Sequence, residues 1–398
     1  MAVFEPKNQL HPAVLSIAVM ASTAFPSSTL SASETFTFDN DRSLTVGFGY
    51  RGSMNIVDDG APSGSSKSID FNMDNLEIRL AASISENIKG IVNISKNNDS
   101  DIKLLDAIAH LALSPELNIW AGRMLPPSDR SNLNGPFFIS SYSYPIIVAR
   151  YPSKFTGRDN GVTLWGKLLD KHLVYSFGAF EGHNNFEKAS SEDDNLLYAG
   201  RLQYDFWSPN LAPAYLTAGT FYGQDLFSIG FAWQYQKDGV GSAEEKGDFT
   251  AWNIDVLFEK NLGGYVIDLE GAYYDFDTDD TSDVVPGLLT STPGDTDNVG
   301  GLKQGKAYLA SIALMLPQKV GWGQIQPIVR YQKFDQDSTP TGGASAPFVD
   351  SLDIKQIDYG LNYVINGHNT RISATYSNLE ISNADDTDAF VLGLQYQF

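Results

Sequence analysis

In the final segment, Thr387–Phe398, side chains of two kinds alternate. Phe390, Leu392, Leu394, Tyr396 and Phe398 share one parity, and Ala389, Val391, Gly393, Gln395 and Gln397 share the other. A period of two is that of a strand, with an apolar, aromatic-ended face on one side and a wetter face on the other. A strand of this kind, running to a terminal Phe, is at home in a closed barrel, where no edge is left unpaired.

The same rhythm recurs along the chain. Alternating segments cover Arg42–Gly52, Ser68–Ser83, Asn87–Lys96, Asp101–Leu113, Leu117–Leu125, Asp159–Leu169, His172–Gly182 and Asn195–Phe206. They continue at Leu226–Gln236, Phe249–Glu259, Tyr265–Phe276, Gln304–Leu316, Trp322–Phe334, Ser351–Ile365, Asn369–Ile381 and Thr387–Phe398, sixteen in all. Short gaps such as Asp170-Lys171, Asn261–Gly264 and Asn366–His368 alternate with mostly long ones, as tight turns on one rim and surface loops on the other require. Counting Pro213–Tyr222 as a spanning strand would put the acidic gap Asp277–Lys303 on the tight-turn rim, so Trp207–Asp225 reads as one connection on that rim. The fold class is therefore all-β, a sixteen-stranded antiparallel transmembrane β-barrel over 34–398. Trp120, Trp165, Trp207 and Trp322 fall toward the turn rim and Trp233 and Trp252 toward the loop rim, the placement of two interfacial aromatic girdles.

Composition removes other classes. With 48 acids against 27 bases the net charge is −21, which excludes nucleic-acid binding by bulk electrostatics. There is no cysteine, so no disulfide framework and no thiolate metal site. Mean hydropathy is −0.20, a value that a membrane barrel also gives because only alternate strand residues face lipid. The apolar run Pro12–Phe25, followed by small residues to Ser33, reads as an export signal over 1–33.

A charge facing lipid at mid-depth costs about 2–4 kcal/mol, so parity assigns direction. Leu202, Tyr204 and Phe206 face out and Arg201 and Gln203 in; Val162, Leu164 and Leu168 face out and Lys167 in. Arg79, Arg330 and Arg371 take the inward parity, as do Asp255, Asp268, Glu270 and Asp358. Arg123 shares a parity with Leu117 and Ile119 but is expected to turn inward. Basic and acidic sectors would set a transverse field across a narrow pore.

The long gap Pro126–Arg158 is the sharpest functional feature, since a loop of this length in a compact domain usually serves a function. From Ala121 to Leu169 the bases Arg123, Arg130, Arg150, Lys154, Arg158 and Lys167 outnumber the acids Asp129 and Asp159, against the balance of the whole chain. Folded inward, this third long loop would narrow the barrel and offer guanidinium groups to passing anions. Outside the lumen, its bases would instead pair with the acidic loops.

Gly122-Arg123-Met124-Leu125-Pro126-Pro127-Ser128-Asp129-Arg130, Asn134-Gly135-Pro136 and Gly157-Arg158-Asp159-Asn160-Gly161-Val162 resemble the phosphate-selective porin family of Gram-negative outer membranes. The resemblance implies a trimeric sixteen-strand channel in the outer membrane, in contact with lipid and lipopolysaccharide, with the third loop turned inward. Phosphate-specific members carry a dense arginine ladder, whereas this chain has 27 bases in total. The expectation is a diffusion channel for small hydrophilic solutes and ions with a mild anion preference. The alternative is a structural or binding barrel, an adhesin or a sheath around a periplasmic electron carrier. No cofactor is called for, and His11, His110, His172, His183 and His368 fall into no Ser-His-carboxylate pattern that would mark an enzyme. The Asp277–Asp283 stretch lacks the ordered spacing of a calcium loop.

Overall fold

A computed structural model describes residues 33–38, 42–98, 101–147, 157–182, 195–241, 246–279, 304–337, 353–382 and 385–398. All but the last residue of the expected export signal lie outside these, as do Arg150, Lys154, His11, His183 and most of Asp277–Asp283. The strands are β1 (Glu34–Thr37), β2 (Ser43–Val57), β3 (Ser68–Ser83), β4 (Ile88–Lys96), β5 (Lys103–Ser114) and β6 (Leu117–Met124). After a single helical turn, α1 (Arg130–Asn134), come β7 (Asp159–Leu168), β8 (Leu173–Phe180), β9 (Leu197–Asp205), β10 (Leu226–Gly241), β11 (Lys246–Leu262) and β12 (Tyr265–Asp277). The last six are β13 (Gly305–Met315), β14 (Lys319–Val320), β15 (Gly323–Gln336), β16 (Ile354–Asn366), β17 (Thr370–Ile381) and β18 (Thr387–Gln397).

Apart from the short β1 and β14, sixteen strands form the wall, each antiparallel to its chain neighbour. β18 pairs with β2 to close the barrel, Leu392 opposite Met54 and Gln395 opposite Arg51. Phe398 and Phe48 exchange both backbone hydrogen bonds, 2.8 and 2.9 Å long. β1 then takes over along the start of β2, Phe36 opposite Leu44, so the two ends of the described chain cover one strand in succession and leave little free edge.

The alternation predicts which side chains face out. Leu202, Tyr204, Val162, Leu164, Leu392, Leu394, Tyr396 and Phe398 are exposed, and Arg201, Gln203, Gln395 and Gln397 are buried. The outer face is thus a continuous apolar surface of the kind that lipid covers. Four tryptophans behave as girdle residues: Trp207, Trp233 and Trp322 are exposed, and Trp252 packs on Tyr273 along the outward parity. Trp120 and Trp165 correct the expectation. They point inward, 5.6 Å apart edge to face, and pack with His110 and Tyr215. Trp120 shares the parity of buried Asn118, opposite that of exposed Leu117, so pairing geometry overrides the aromatic preference for an interface.

The interior is only partly polar. Trp120, Met124, Leu133, Ile147, Trp165, Phe249, Tyr274, Phe276 and Phe334 belong to one buried apolar cluster in which wall strands meet the segment after β6. The connection Trp207–Asp225 contains no strand and packs under that segment rather than hanging from the rim.

Candidate lumenal site

Residues 125–147 leave β6 at the loop rim, make the one turn of α1, and hydrogen-bond to inward side chains from widely separated strands. Asp129 caps α1, its Oδ2 accepting from Asn132 N at 3.3 Å and from the Tyr274 hydroxyl at 2.7 Å. Burial pushes the Asp129 carboxyl up to about 6, partly offset by the Tyr274 bond.

On the β9–β11 side the attachment is ionic. Arg201 forks onto Asp255, with Nη1–Oδ2 at 2.6 Å and Nη2–Oδ1 at 2.8 Å. Asp255 also accepts from Arg130 Nε at 3.3 Å and from Arg130 N at 3.2 Å. The remaining donors of Arg130 go to Ser228 Oγ at 2.8 Å, Gln203 Oε1 at 3.2 Å and Ala218 O at 3.4 Å. Both guanidiniums and the carboxylate are almost entirely buried. Such a triad is tolerable only because nearly every polar atom finds a partner.

On the opposite side the loop offers backbone. Arg371 donates to Ile139 O and Ser140 O at 3.0 and 3.1 Å, and Asn362 to Ser140 O at 3.0 Å. Arg330 donates to Ser143 O at 2.7 Å while its Nε holds Asp358 at 2.7 Å. Gln395 reaches Phe137 O at 2.8 Å, and Arg51 reaches Tyr142 O with its guanidinium 4.2 Å from the Tyr142 ring. Tyr142 in turn donates to Asp74 at 2.6 Å and Gly52 O at 2.9 Å. A 2.3 Å approach of the Tyr142 ring to the place a Cβ would take explains the glycine at 393.

Apart from Arg150 and Lys154, which lie outside the described residues, the structure places every sequence-predicted site residue. Arg130, Arg201, Asp255, Arg330 and Arg371 converge on the loop, as above. Arg158 pairs with Asp106 at 3.1 Å, and Lys167 donates to Asn210 O and Ala212 O at 3.4 and 2.8 Å. Arg79 pairs with Glu77 at 2.9 Å and stacks over Phe137. Glu270 accepts from Ser131 Oγ at 3.4 Å and, with Arg330, Ser140, Ser141 and Ser311, lines a small cavity of about 10 Å³. Asp268 is buried opposite Glu259 on the neighbouring strand. Arg123 is the correction. It keeps the outward parity of Val162 and Leu117, and its guanidinium bonds Leu104 O at 3.1 Å and Asn160 Oδ1 at 3.3 Å. At the loop end of β6 a charge sits near the membrane surface, where facing outward costs only about 0–1 kcal/mol.

The idea that the loop's bases wait for passing anions meets this geometry directly. Arg130, Arg201, Arg330 and Arg158 are each bonded to a carboxylate, and Arg371 and Arg51 to loop carbonyls. Sequence reasoning missed Arg51, Tyr142 and Glu259. Glu259 shares the parity of Asp255, so alternation alone could have turned it inward.

The histidines are occupied with neutral partners among the described residues. His110 meets Asn118 Oδ1 at 2.9 Å, His172 meets Asp205 O, and His368 meets Thr220 O at 2.9 Å. Burial, and then the nearby Arg371, push His368 down to about 3, so it is neutral at ordinary pH. No group of three or more metal-ligating side chains occurs among the described residues.

No protein-family model matches the chain, and no curated protein does. Solved structures do. An anion-selective porin from Comamonas acidovorans aligns over 90% of this chain and 100% of its own, with 12% identity and a TM-score of 0.56. Outer-membrane expressed OmpT of Vibrio cholerae aligns over 92% and 100%, with 12% identity and a TM-score of 0.56. At this identity the likeness is one of fold, a closed antiparallel β-barrel whose wall in this chain has sixteen strands.

Proposed function

We propose that this protein is an outer-membrane porin of a Gram-negative bacterium, a passive diffusion channel for small hydrophilic solutes and ions. The observation that carries the reading is the pairing of an apolar outer face with an interior crossed by the 125–147 loop, which is tied to β9–β11 on one side and to β15–β18 and β2 on the other. A strap across a membrane barrel restricts what passes and is the constriction of the pore in this account. The similarity to an anion-selective porin and to an outer-membrane protein adds support for the compartment and the transport role. A homotrimer embedded among lipid and lipopolysaccharide is part of the same proposal.

Selectivity by charge is expected to be weak, and phosphate specificity is not expected. Anion preference at the loop needs guanidiniums that can meet a solute, and the buried ones are engaged by carboxylates or loop carbonyls within the protein. Arg123, on the outer face, is placed to meet lipopolysaccharide phosphates instead. No enzymatic role is proposed.

Liposome swelling tests the channel reading. Vesicles containing the protein should swell in small sugars and amino acids at rates that fall steeply with solute size and differ little between anionic and cationic solutes of one size. Vesicles that stay sealed to all of them would refute it. The buried apolar cluster inside the wall favours the second reading, a structural or binding barrel, and sealed vesicles are its expected result.

A further inference from the structure

The connection between β9 and β10 is long for the turn rim, and it is built in. Asp205 fixes its start by accepting from Asn210 N at 2.9 Å, and Lys167 holds the carbonyls of 210 and 212. Its middle docks on the underside of the constriction loop. The Tyr215 hydroxyl donates to Leu125 O at 2.7 Å, Thr217 Oγ1 to Arg130 O at 2.8 Å, and Gly219 N to Phe138 O at 2.9 Å. Its far end reaches the turn between β16 and β17, where Tyr222 packs against the His368 ring at 4.8 Å and Thr220 O meets His368. The chain therefore leaves the wall at β9, crosses the turn-rim mouth and returns at β10.

One carboxylate holds the returning part. Glu259 Oε2 accepts from Thr220 Oγ1 at 2.8 Å and Phe221 N at 2.6 Å, and Oε1 from Gly223 N at 2.6 Å and Gln224 N at 2.8 Å. The group is fully buried and lies across the β11–β12 pairing from buried Asp268. Burying two carboxylates side by side is costly. The four donors offset that cost for Glu259 only while residues 220–224 are docked.

We propose that residues 207–225 are a second constriction, a plug across the turn-rim mouth that Glu259 latches and that must swing out before solute passes. This rests on the channel reading. It places size selection in two elements, the loop above and the plug below, and makes Glu259 a specificity-determining residue although it touches no solute in the docked state. In Glu259→Gln the amide nitrogen faces at least one backbone N–H donor in either orientation, and the latch loses its charge.

Two variants test it in planar bilayers with the full-length protein. Glu259→Gln should raise open probability on the order of tenfold or more, the scale of losing charge-assisted bonds. The second uses the absence of native cysteine. A Cβ at Gly219 would lie 2.7 Å from Ser140 Oγ and 2.9 Å from Ser140 N, so Ser140→Cys with Gly219→Cys brings two thiols within disulfide reach once the backbone at 140 gives by a few tenths of an ångström. Heat-dependent gel migration verifies that each barrel has folded. The oxidised double variant should stay closed and the reduced one should conduct. Equal conductance oxidised and reduced would overturn the plug while leaving the channel reading intact. Silence in wild type, Glu259→Gln and the reduced double variant alike would overturn both.

Discussion

The inward loop, residues 125–147, is fastened to the two sides of the wall by different chemistry. On β9–β11 the attachment is charge on charge, concentrated in Asp255, which serves Arg201 and the loop's own Arg130. On β15–β18 and β2 it is wall side chain to loop backbone, spread over Arg330, Asn362, Arg371, Gln395 and Arg51. The first centres on one loop side chain, Arg130, and one carboxylate, with Arg201 and Gln234 adding single bonds to the Ser128 and Pro127 carbonyls, so a loss at Asp255 is concentrated. The second reads carbonyls that every residue carries, and losses are shared.

That contrast can be broken in descending steps. Asp255→Ala leaves two buried guanidiniums without their carboxylate, and loss of one partner of a buried ion pair costs about 3–5 kcal/mol. Thermal unfolding in detergent should show the largest drop of any single change in the loop or its contacts. Arg371→Met removes bonds to three loop carbonyls but leaves Asn362 and Gln395 in place. Hydrogen bonds to charged donors are worth about 1.5–3 kcal/mol, so the loss should be near the lower figure. An Arg371→Met drop equal to that of Asp255→Ala would end the contrast.

Acidity acts through the charged side. The Asp129 carboxyl is pushed up to about 6 by burial, above the ordinary value of 3.8. Between those values the folded protein holds a proton that the unfolded chain has released, so this group makes stability fall as pH rises from about 4 to about 6. Asp129→Asn should flatten that part of a stability-against-pH curve, and a variant with the wild-type slope would show that burial at Asp129 is not the cause. The smallest effect belongs to the backbone-held side. Among the described residues the Ser140 and Ser141 hydroxyls find no hydrogen-bond partner, although the carbonyls of both residues are held. Ser140→Ala and Ser141→Ala should each shift stability by no more than about 0.5 kcal/mol.

The wall was legible because lipid enforces the period. Arg201 and Gln203 could be turned inward from Leu202 and Tyr204 alone, and the strand count followed from gap lengths. Reading failed where that enforcement weakens. Arg123 stands at the end of a strand, where either direction is cheap, and Trp120 obeyed its parity rather than the preference of its type for an interface. Trp207–Asp225 could be recognised as a connection, but its docking on Glu259 uses backbone N–H groups that leave no mark in composition or spacing. For the same reason Arg130 was visible as a base within the loop, while its commitment to Asp255 on a strand 125 residues away was not.

Single-channel recording of the wild-type protein in planar bilayers tests the transport claim most directly. The account predicts brief, discrete conductance steps from a mostly closed baseline, with a reversal potential in a salt gradient that departs only slightly from zero. A bilayer that remains electrically silent with correctly folded protein inserted would contradict it.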